Sequence, residues 1–320
     1  MKWYCAVLVL ALPVLAQLQP GFRVDVTLLR VPCVVTDANG APVPGLRRED
    51  FVVREDGVPH EVKYLWQESD LPLTVVLLAD VSGSEYQFIE QHRQTVLQFL
   101  SQVLSPGDRA ALVSVERQQR LVTDLTNSME TLRTGVEVLG QESAAILGDP
   151  CAGKRERLLL FTTIFKPCGG TALWNGVYFA AKFKLRPSSG RKAILLLTDG
   201  WDTGSDHGLV DAIESAQSAD AMVYSIRYTD RNLNAAFPNE LRKAKRNLER
   251  IAWETGGLAF EGEAEKVPGI FKSIETALRN EYVIGYPVTP ASHEHRYHKL
   301  TVTVTRPGLT VRARNGYYAQ

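Results

Sequence analysis

Hydrophobic and polar positions follow three successive patterns along this chain. From 22 to 66 apolar residues alternate with polar ones, as over 24–28, and this period of two predicts half-buried β-strands. From 71 to 280 continuous apolar runs of strand length alternate with segments of helical period. After 280 the period of two returns and predicts three more strands, around 282–284, 300–304 and 311–317.

The middle segment predicts an α/β sheet. The run 73–79 is continuously apolar, which is typical of a central parallel strand buried on both faces. Ile89, Val96 and Leu100 then share one helical face. Further strands are predicted at 109–115, 120–124, 192–198, 221–227 and 258–260, and helices at 128–139, 171–183, 206–219, 241–254 and 267–280.

This alternation predicts a doubly wound, mainly parallel sheet of the α/β class. Because both flanks have a β pattern, we expect the α/β domain to be inserted into a β-sandwich that the two ends of the chain build. Prolines and the sequence Glu55-Asp56-Gly57 place turns and edge strands in the first flank. The predicted divisions are a signal peptide at 1–16, the sandwich at 17–70 and 281–320, and the α/β domain at 71–280.

The N-terminus has the pattern of an export signal. Lys2 supplies a positive charge, 6–15 is apolar, and small residues precede Gln17. The apolar run is too short to span a bilayer comfortably, and no other segment approaches the ~18 uninterrupted apolar residues of a spanning helix. We therefore expect a periplasmic or secreted protein, cleaved near Ala16 and without a membrane span.

Charge and composition narrow the class of partner. The chain is 45% hydrophobic and 22% charged, and it has 36 basic and 36 acidic residues. This balance argues against a nucleic-acid partner, which usually requires a basic excess. The basic residues between 242 and 250 are interpreted as the solvated face of a helix.

Of the four cysteines, Cys5 lies in the signal segment. Outside the cytosol, Cys151 and Cys168 could close a loop through a disulfide, and the sequence leaves their bonding open. Cys33 lies in a strand-like run and is predicted to be a buried thiol.

Oxygen-bearing side chains gather where predicted strands end. Asp80, Ser82 and Ser84 follow the first buried strand, Asp199 follows another, and Thr171 opens a helix. The carboxyl ends of parallel strands meet at one edge of a sheet, and Mg²⁺ takes six oxygen ligands, some of them water. The sequence therefore predicts a divalent-cation site, for Mg²⁺ first, with Mn²⁺ or Ca²⁺ as alternatives.

These five residues, in this order, resemble the metal-ion-dependent adhesion site of von Willebrand factor A domains. The resemblance covers about 71–280, and the segments 45–57, 281–286 and 311–318 make the chain similar to a bacterial exported family related to these domains, first described from Acidobacteria. It implies that the serines and Thr171 coordinate the metal, with Asp80 and Asp199 acting directly or through water. It also implies a protein partner whose acidic side chain completes the metal shell.

Three features set this chain apart at the predicted rim of the site. Glu85 follows the serines; it either tunes the affinity for the metal or acts as a resting ligand, or it is an ordinary acidic residue of a first helical turn, which is the interpretation favoured here. Trp201 is predicted to lie on the rim as a partner contact, whereas Trp174 is predicted to be core. The segment 141–168 is interpreted either as an extra packing element or as a specificity loop held by a disulfide.

His293, His295 and His298 cluster with Glu294, and a solvated hairpin is favoured there over a second metal site.

Two classes of function are compatible with the sequence. Motifs for a nucleophile elbow, a phosphate loop or a zinc protease are absent from the sequence, so we expect no enzyme. We predict a metal-dependent protein-binding module, and the alternative is a structural or assembly protein of the cell envelope in which the metal only stabilises loops.

Overall fold

A computed structural model describes residues 27–67, 71–141, 170–263, 265–288 and 297–318. Several predictions concern residues outside these ranges: the signal peptide at 1–16, the pairing of Cys151 with Cys168, the insert beyond 141, and the cluster of His293, Glu294 and His295.

The strands of the described residues are numbered in chain order. They are β1 (Thr27–Thr36), β2 (Phe51–Glu55), β3 (Val58–His60), β4 (Tyr64–Gln67), β5 (Leu73–Asp80), β6 (Arg109–Val115), β7 (Gln119–Thr126), β8 (Arg191–Thr198), β9 (Met222–Arg227), β10 (Ala259–Glu261), β11 (Glu281–Val288), β12 (Tyr297–Val304), β13 (Thr310–Ala313) and β14 (Gly316–Tyr318).

The α-helices are α1 (Ile89–Val103), α2 (Met129–Val138), α3 (Leu173–Phe179), α4 (Leu209–Ser218), α5 (Arg231–Ala236), α6 (Pro238–Thr255) and α7 (Val267–Arg279). A π-helical segment, Ala180–Leu185, continues α3, and α5 was not predicted. Among the described helices, none combines the length and the apolarity needed to cross a bilayer.

The mainly parallel sheet has the order β10-β9-β8-β5-β6-β7. Every residue of β5 is buried, since β5 pairs in parallel with β8 and β6 and both faces carry helices. One core contains Phe99, Leu132 and Phe271 from α1, α2 and α7, and the other contains Leu173, Ile213 and Leu248 from α3, α4 and α6. The predicted α/β fold class is confirmed, and the antiparallel edge strand β7 makes the sheet mixed.

Two four-stranded sheets stand beside the mainly parallel sheet, with the strand orders β13-β1-β11-β4 and β14-β12-β2-β3. They combine strands from both ends of the chain and share one core that includes Cys33, Phe51 and Tyr286. Cys33 is buried and unbonded, as predicted. After 280 the described chain forms four strands rather than three, because 311–317 is interrupted at Arg314, whose guanidinium turns to the carbonyl oxygens of Gln217 and Arg30.

The predicted hairpin at Glu55-Asp56-Gly57 joins β2 to β3. Asp56 and Gly57 both have positive φ, 49° and 84°, as a two-residue type I′ turn requires. Pro59 lies in β3 at the sheet edge, where a missing N–H is tolerated.

Arg191 links the two segments through which the chain enters and leaves the α/β unit. Its buried guanidinium donates to the carbonyl oxygen of Leu71, before β5, and to that of Leu278, near the end of α7, at 2.7 and 2.5 Å. One side chain therefore fixes the entry to and the exit from the α/β unit.

Candidate metal centre

Asp80 ends β5 with a fully buried carboxylate. Its Oδ1 accepts from the backbone N–H of Ser82 at 3.0 Å, and its Oδ2 accepts from the hydroxyl of Thr198 at 2.6 Å. The first bond tightens the loop after β5, and the second ties it to the end of β8. Thr198, which the sequence analysis did not identify, thus positions the carboxylate.

Ser82 and Ser84 point their hydroxyl groups toward one another, and the two Oγ atoms lie 3.2 Å apart. Ligands that hold Mg²⁺ at 2.0–2.1 Å in adjacent octahedral positions are about 2.9 Å apart. The pair therefore has nearly the spacing of two ligands of a single ion.

Asp199 follows β8 and is also buried. Its Oδ1 accepts from the N–H of Trp201 at 2.7 Å, while its buried Oδ2 makes no hydrogen bond within the described part of the chain. Gly200 has φ of +83°, and a Cβ there would lie 2.7 Å from Cδ1 of Leu248. The turn that orients Asp199 therefore requires glycine.

Thr171 is buried and joined to the loop that carries Asp199. Its N–H donates to Oγ1 of Thr203, and its carbonyl oxygen accepts from the N–H groups of Thr203 and Gly204, each at 3.0 Å. These bonds place Thr171 beside the 199–204 loop, so the three segments predicted to form the site meet at one edge of the sheet.

Burial raises the pKa of both aspartates of this site. Burial, and then the charge of Asp199, raise the pKa of Asp80 to about 7. Burial also raises the pKa of Asp199, against hydrogen bonds from Trp201 and Ser84 and the charge of Arg227. Arg227 already pairs with Glu261 at 2.9 Å. Buried acidic groups with so little compensation fit a site that takes up a cation.

Glu85 does not lie on the rim where it was predicted. Its side chain is fully buried, and its Oε2 lies 3.2 Å from Nε2 of His92, which is buried too. A short 3-10 turn, Tyr86–Phe88, precedes α1, so Glu85 is not in the first turn of that helix. Burial, followed by the charges of Asp80 and Asp199, raises its pKa well above the ordinary range.

His92 is a second buried group that the sequence analysis missed. Its Nδ1 lies 3.0 Å from the carbonyl oxygen of Asp80, and since a carbonyl only accepts, Nδ1 carries the proton. Burial lowers the pKa of His92 to about 4, so the neutral ring turns its unprotonated Nε2 toward Glu85.

Trp201 is half-buried next to Asp199, and its ring centroid lies 5.1 Å from that of Phe237. Phe237 is 44% exposed, so the two rings form an aromatic patch, here called the Trp201–Phe237 patch. Trp174 is 4% exposed and belongs to the core, as predicted.

His298 lies far along the chain from this site, in β12, and is buried rather than solvated. Its Nδ1 lies 3.0 Å from Glu55 and 3.1 Å from Asp56. The hydroxyl groups of Tyr286 and Tyr317 donate to the two oxygens of Glu55. The expectation of a solvated histidine was therefore wrong, because the β2–β3 turn and the tyrosines enclose the ring.

No protein-family model and no curated protein matches the chain. Several solved structures are similar to it at low sequence identity. An aerotolerance-related membrane protein from Bacteroides fragilis is 15% identical, with a TM-score of 0.46, and the match covers 64% of this chain and 98% of that one.

Two further structures are similar to the chain at comparable identity. The vWF domain of the type V pilus tip protein Mfa5 from Porphyromonas gingivalis is 14% identical, with a TM-score of 0.43, over 65% of this chain and 96% of that one. Proximal thread matrix protein 1 from the mussel byssus, with a zinc-occupied MIDAS motif, is 11% identical, with a TM-score of 0.45, over 70% of this chain and 49% of that one.

Because these TM-scores lie below 0.5, the class of the protein rests on its own sheet order and loops. A mainly parallel sheet ordered β10-β9-β8-β5-β6-β7 carries the Asp-x-Ser-x-Ser loop after β5 and the aspartate loop after β8. Thr171 joins them just ahead of α3. This sheet order and these loops are those of the von Willebrand factor A fold, set beside a β-sandwich.

Proposed function

We propose that this protein is a metal-ion-dependent protein-binding module. A divalent cation would be held by Asp80, Ser82, Ser84, Thr171 and Asp199, and an acidic side chain of a partner would complete its shell. The buried Oδ2 of Asp199, without a hydrogen bond from any described residue, carries the proposal, because an uncompensated buried carboxylate oxygen is costly unless a cation or donor meets it.

The donor chemistry supports a hard cation. Carboxylate and hydroxyl oxygens are the ligands that Mg²⁺, Mn²⁺ and Ca²⁺ accept, and the 3.2 Å separation of the serine hydroxyl groups suits a small octahedral ion. Mg²⁺ is our first choice. The chain would supply fixed oxygens, and the ion would supply the positive charge that attracts the partner's carboxylate.

The buried position of His92 favours a binding function over a catalytic one. His92 is fully buried and faces the Asp80 carbonyl and Glu85, so it does not offer a base to a molecule at the serine hydroxyl groups. General base catalysis needs such a group within hydrogen-bond reach of the reacting proton. Our proposal therefore has no catalytic step.

The Trp201–Phe237 patch supports a protein partner. Half-exposed aromatic rings supply much of the affinity at protein interfaces, and this patch begins two residues after Asp199. We propose that a partner places its acidic side chain on the cation and apolar surface on these rings. The export-type N-terminal sequence, 1–16, is our reason for placing this encounter outside the cytoplasm.

The test is a pull-down from the envelope fraction of the producing cell, with Mg²⁺ or with EDTA. Ser84→Ala removes a half-buried hydroxyl group of the site, whereas Gly83→Ala is its matched control, since a Cβ at Gly83 meets nothing within 4 Å. We expect wild type and Gly83→Ala to retain a partner in Mg²⁺ only, and Ser84→Ala and Asp80→Ala to lose it. A partner retained equally in EDTA would contradict the proposed mechanism.

The β-sandwich offers a second candidate function. Tyr64 and Trp66 stack on the edge strand β4 at 5.4 Å, with 52% and 38% of their surfaces exposed. Aromatic side chains on a sheet edge suit contact with another envelope protein. If this surface binds the partner, EDTA lowers the melting temperature but leaves association with the partner intact. Trp66→Ala then abolishes that association, whereas Ser84→Ala does not.

A further inference from the structure

The outward face of α6 is strongly basic. The buried side chains of this helix lie on one side of it, between Leu241 and Thr255. On the opposite side, an arc of about 100° at 3.6 residues per turn holds residues that are all exposed: Asn239, Arg242, Lys243, Arg246, Arg250 and Trp253. The acidic residues of the helix lie outside this arc: Glu240, Glu249 and Glu254. The residues of the arc are here called the α6 basic face.

Most of the charge of this face is not used within the fold. Arg242, Lys243 and Arg246 make no ion pair with any residue in the ranges that the structure describes, whereas Arg250 pairs with Glu254 at 2.6 Å. Basic and acidic residues are equal in number along the whole chain, 36 of each, so the positive charge is a local property of this helix. At 1.5 Å per residue, the face presents a basic strip about 20 Å long to its surroundings.

Trp253 adds an aromatic ring to the same face. It is 67% exposed, the largest exposed fraction among the large hydrophobic side chains in the described part of the chain. An exposed tryptophan among Lys and Arg is typical of surfaces that lie at a bilayer interface, where the indole ring sits at the level of the headgroups. The long cationic side chains reach the lipid phosphates while their methylene groups cover apolar surface.

The character of the face favours a lipid surface over a folded partner. The residues that dominate protein interfaces usually fill pockets from which water is excluded, whereas the α6 basic face is the outer side of one helix, lined by long flexible side chains. Attraction to an anionic bilayer requires no pocket, because it is summed over charges within a Debye length of the surface. Clusters of about four or more Lys and Arg residues on an amphipathic helix are the usual pattern for such attraction.

We propose that the α6 basic face docks on the surface of an anionic phospholipid bilayer. Its four cations lie against the headgroup phosphates, and Trp253 enters the headgroup layer. This contact is peripheral and needs no spanning segment. It goes beyond the proposed function and does not depend on the cation, although it would hold the metal edge of the sheet close to a membrane.

The test is co-sedimentation of the full chain with vesicles in EDTA, so that the cation site plays no part. One set of vesicles contains phosphatidylglycerol and phosphatidylcholine in equal amounts, and the other contains phosphatidylcholine alone. Arg242→Gln, Lys243→Gln and Arg246→Gln are combined in one variant. Its matched control combines Arg133→Gln, Lys266→Gln and Lys272→Gln, which remove the same charge at exposed positions of or beside α2 and α7, on the other face of the sheet.

Each Lys or Arg near an anionic bilayer strengthens binding about 5-fold. We therefore expect the α6 variant to bind the anionic vesicles about 100-fold more weakly than wild type, and the control variant to bind them within a few-fold of wild type. Both variants should melt close to wild type, because exposed substitutions change stability little. The apolar segment 6–15 is present in every variant, and the neutral vesicles report its contribution.

Two readouts do not depend on the folding of the α6 variant. Binding of wild type to the anionic vesicles should weaken as salt is raised, because salt screens the attraction. Tryptophan emission of wild type should shift to shorter wavelength on these vesicles. The shift should be smaller in Trp253→Phe and unchanged in Trp66→Phe, whose ring is 38% exposed on β4.

Three results would overturn the proposal. Wild type that ignores anionic vesicles has no such surface, and equal binding by the α6 variant and its control places the contact elsewhere on the chain. If soluble polyglutamate released the protein at a carboxylate concentration equal to that of lipid phosphate, the face would select an acidic polypeptide rather than a bilayer. None of these results affects the cation site, which the pull-down with Mg²⁺ and EDTA tests separately.

Discussion

Asp199→Asn is expected to stabilise the cation-free protein and to abolish its stabilisation by Mg²⁺. Oδ1 of Asp199 keeps its bond from Trp201 in the variant, while Oδ2, which makes no hydrogen bond to a described residue, is replaced by an uncharged group. The substitution therefore removes a buried charge and keeps the bond from Trp201.

The size of the stabilisation expected for Asp199→Asn follows from the raised pKa of Asp80. Its pKa rises from 3.8 to about 7, and since one pKa unit is worth about 1.4 kcal/mol, ionised Asp80 costs the fold on the order of 4 kcal/mol at pH 8. Burial is the larger cause and the charge of Asp199 the second. We therefore assign about 1–2 kcal/mol to Asp199→Asn, or a rise of roughly 2–6 °C in melting temperature.

The pH dependence has a defined sign. Because the folded state binds the Asp80 proton more tightly than the unfolded state, the stability that protonation provides is complete below about pH 4 and is lost as the pH rises through about 7. The difference between variant and wild type should therefore be larger at pH 8 than at pH 5.5.

The assay is differential scanning calorimetry in EDTA and in Mg²⁺, with Asp206→Asn, an exposed carboxylate of the same loop, as control. We expect Asp199→Asn to melt above wild type in EDTA, and wild type to melt higher in saturating Mg²⁺. If Asp199→Asn melted below wild type in EDTA at pH 8, repulsion between buried carboxylates would not govern this site.

Three further predictions concern the scaffold. Arg191→Met should lower the free energy of unfolding in urea by about 2–4 kcal/mol, because the carbonyl groups of Leu71 and Leu278 lose their donor. The control Arg242→Met, at an exposed position, should change it by less than about 0.5 kcal/mol. Equal effects of the two substitutions would refute the stabilising role of Arg191. Gly257→Ala should lower the free energy of unfolding by about 1–3 kcal/mol in the same assay, since its Cβ would lie 2.0 Å from the carbonyl oxygen of Val223. Gly269→Ala should leave the free energy of unfolding unchanged, because a Cβ there meets nothing within 4 Å. Iodoacetamide should leave Cys33 unmodified in the folded protein and alkylate it in guanidinium, as peptide mapping by mass spectrometry would show, because burial blocks access and raises the pKa of the thiol; modification at equal rates in both would contradict the buried position.

The central sheet was predictable because its strands are buried on both faces. A continuously apolar run such as β5 has few alternatives to a central parallel strand, and the loops that follow β5 and β8 then converge by topology alone. The meeting of the loops that carry the candidate ligands was therefore predictable from sequence. Local pattern also sufficed for the β2–β3 hairpin, since the Asp56-Gly57 turn is chosen by backbone conformation.

The environment of the site was not predictable in the same way. Glu85 was expected at the start of a helix, but the 3-10 turn before α1 changes its direction, and burial beside His92 depends on contacts between separate elements. His92 left one local signal, as a polar residue on the apolar face that Ile89 and Val96 define. Arg314 divides the last predicted strand because its partners are distant in sequence.

The central claim is that one divalent cation binds between the loops after β5 and β8. The most direct measurement is an anomalous difference map from a crystal of the protein soaked in Mn²⁺. We predict one strong peak within coordination distance of the Ser82 and Ser84 hydroxyl groups and next to Asp199. A map with no peak there, or with its only peak at the Glu55–Asp56–His298 cluster, would contradict the account.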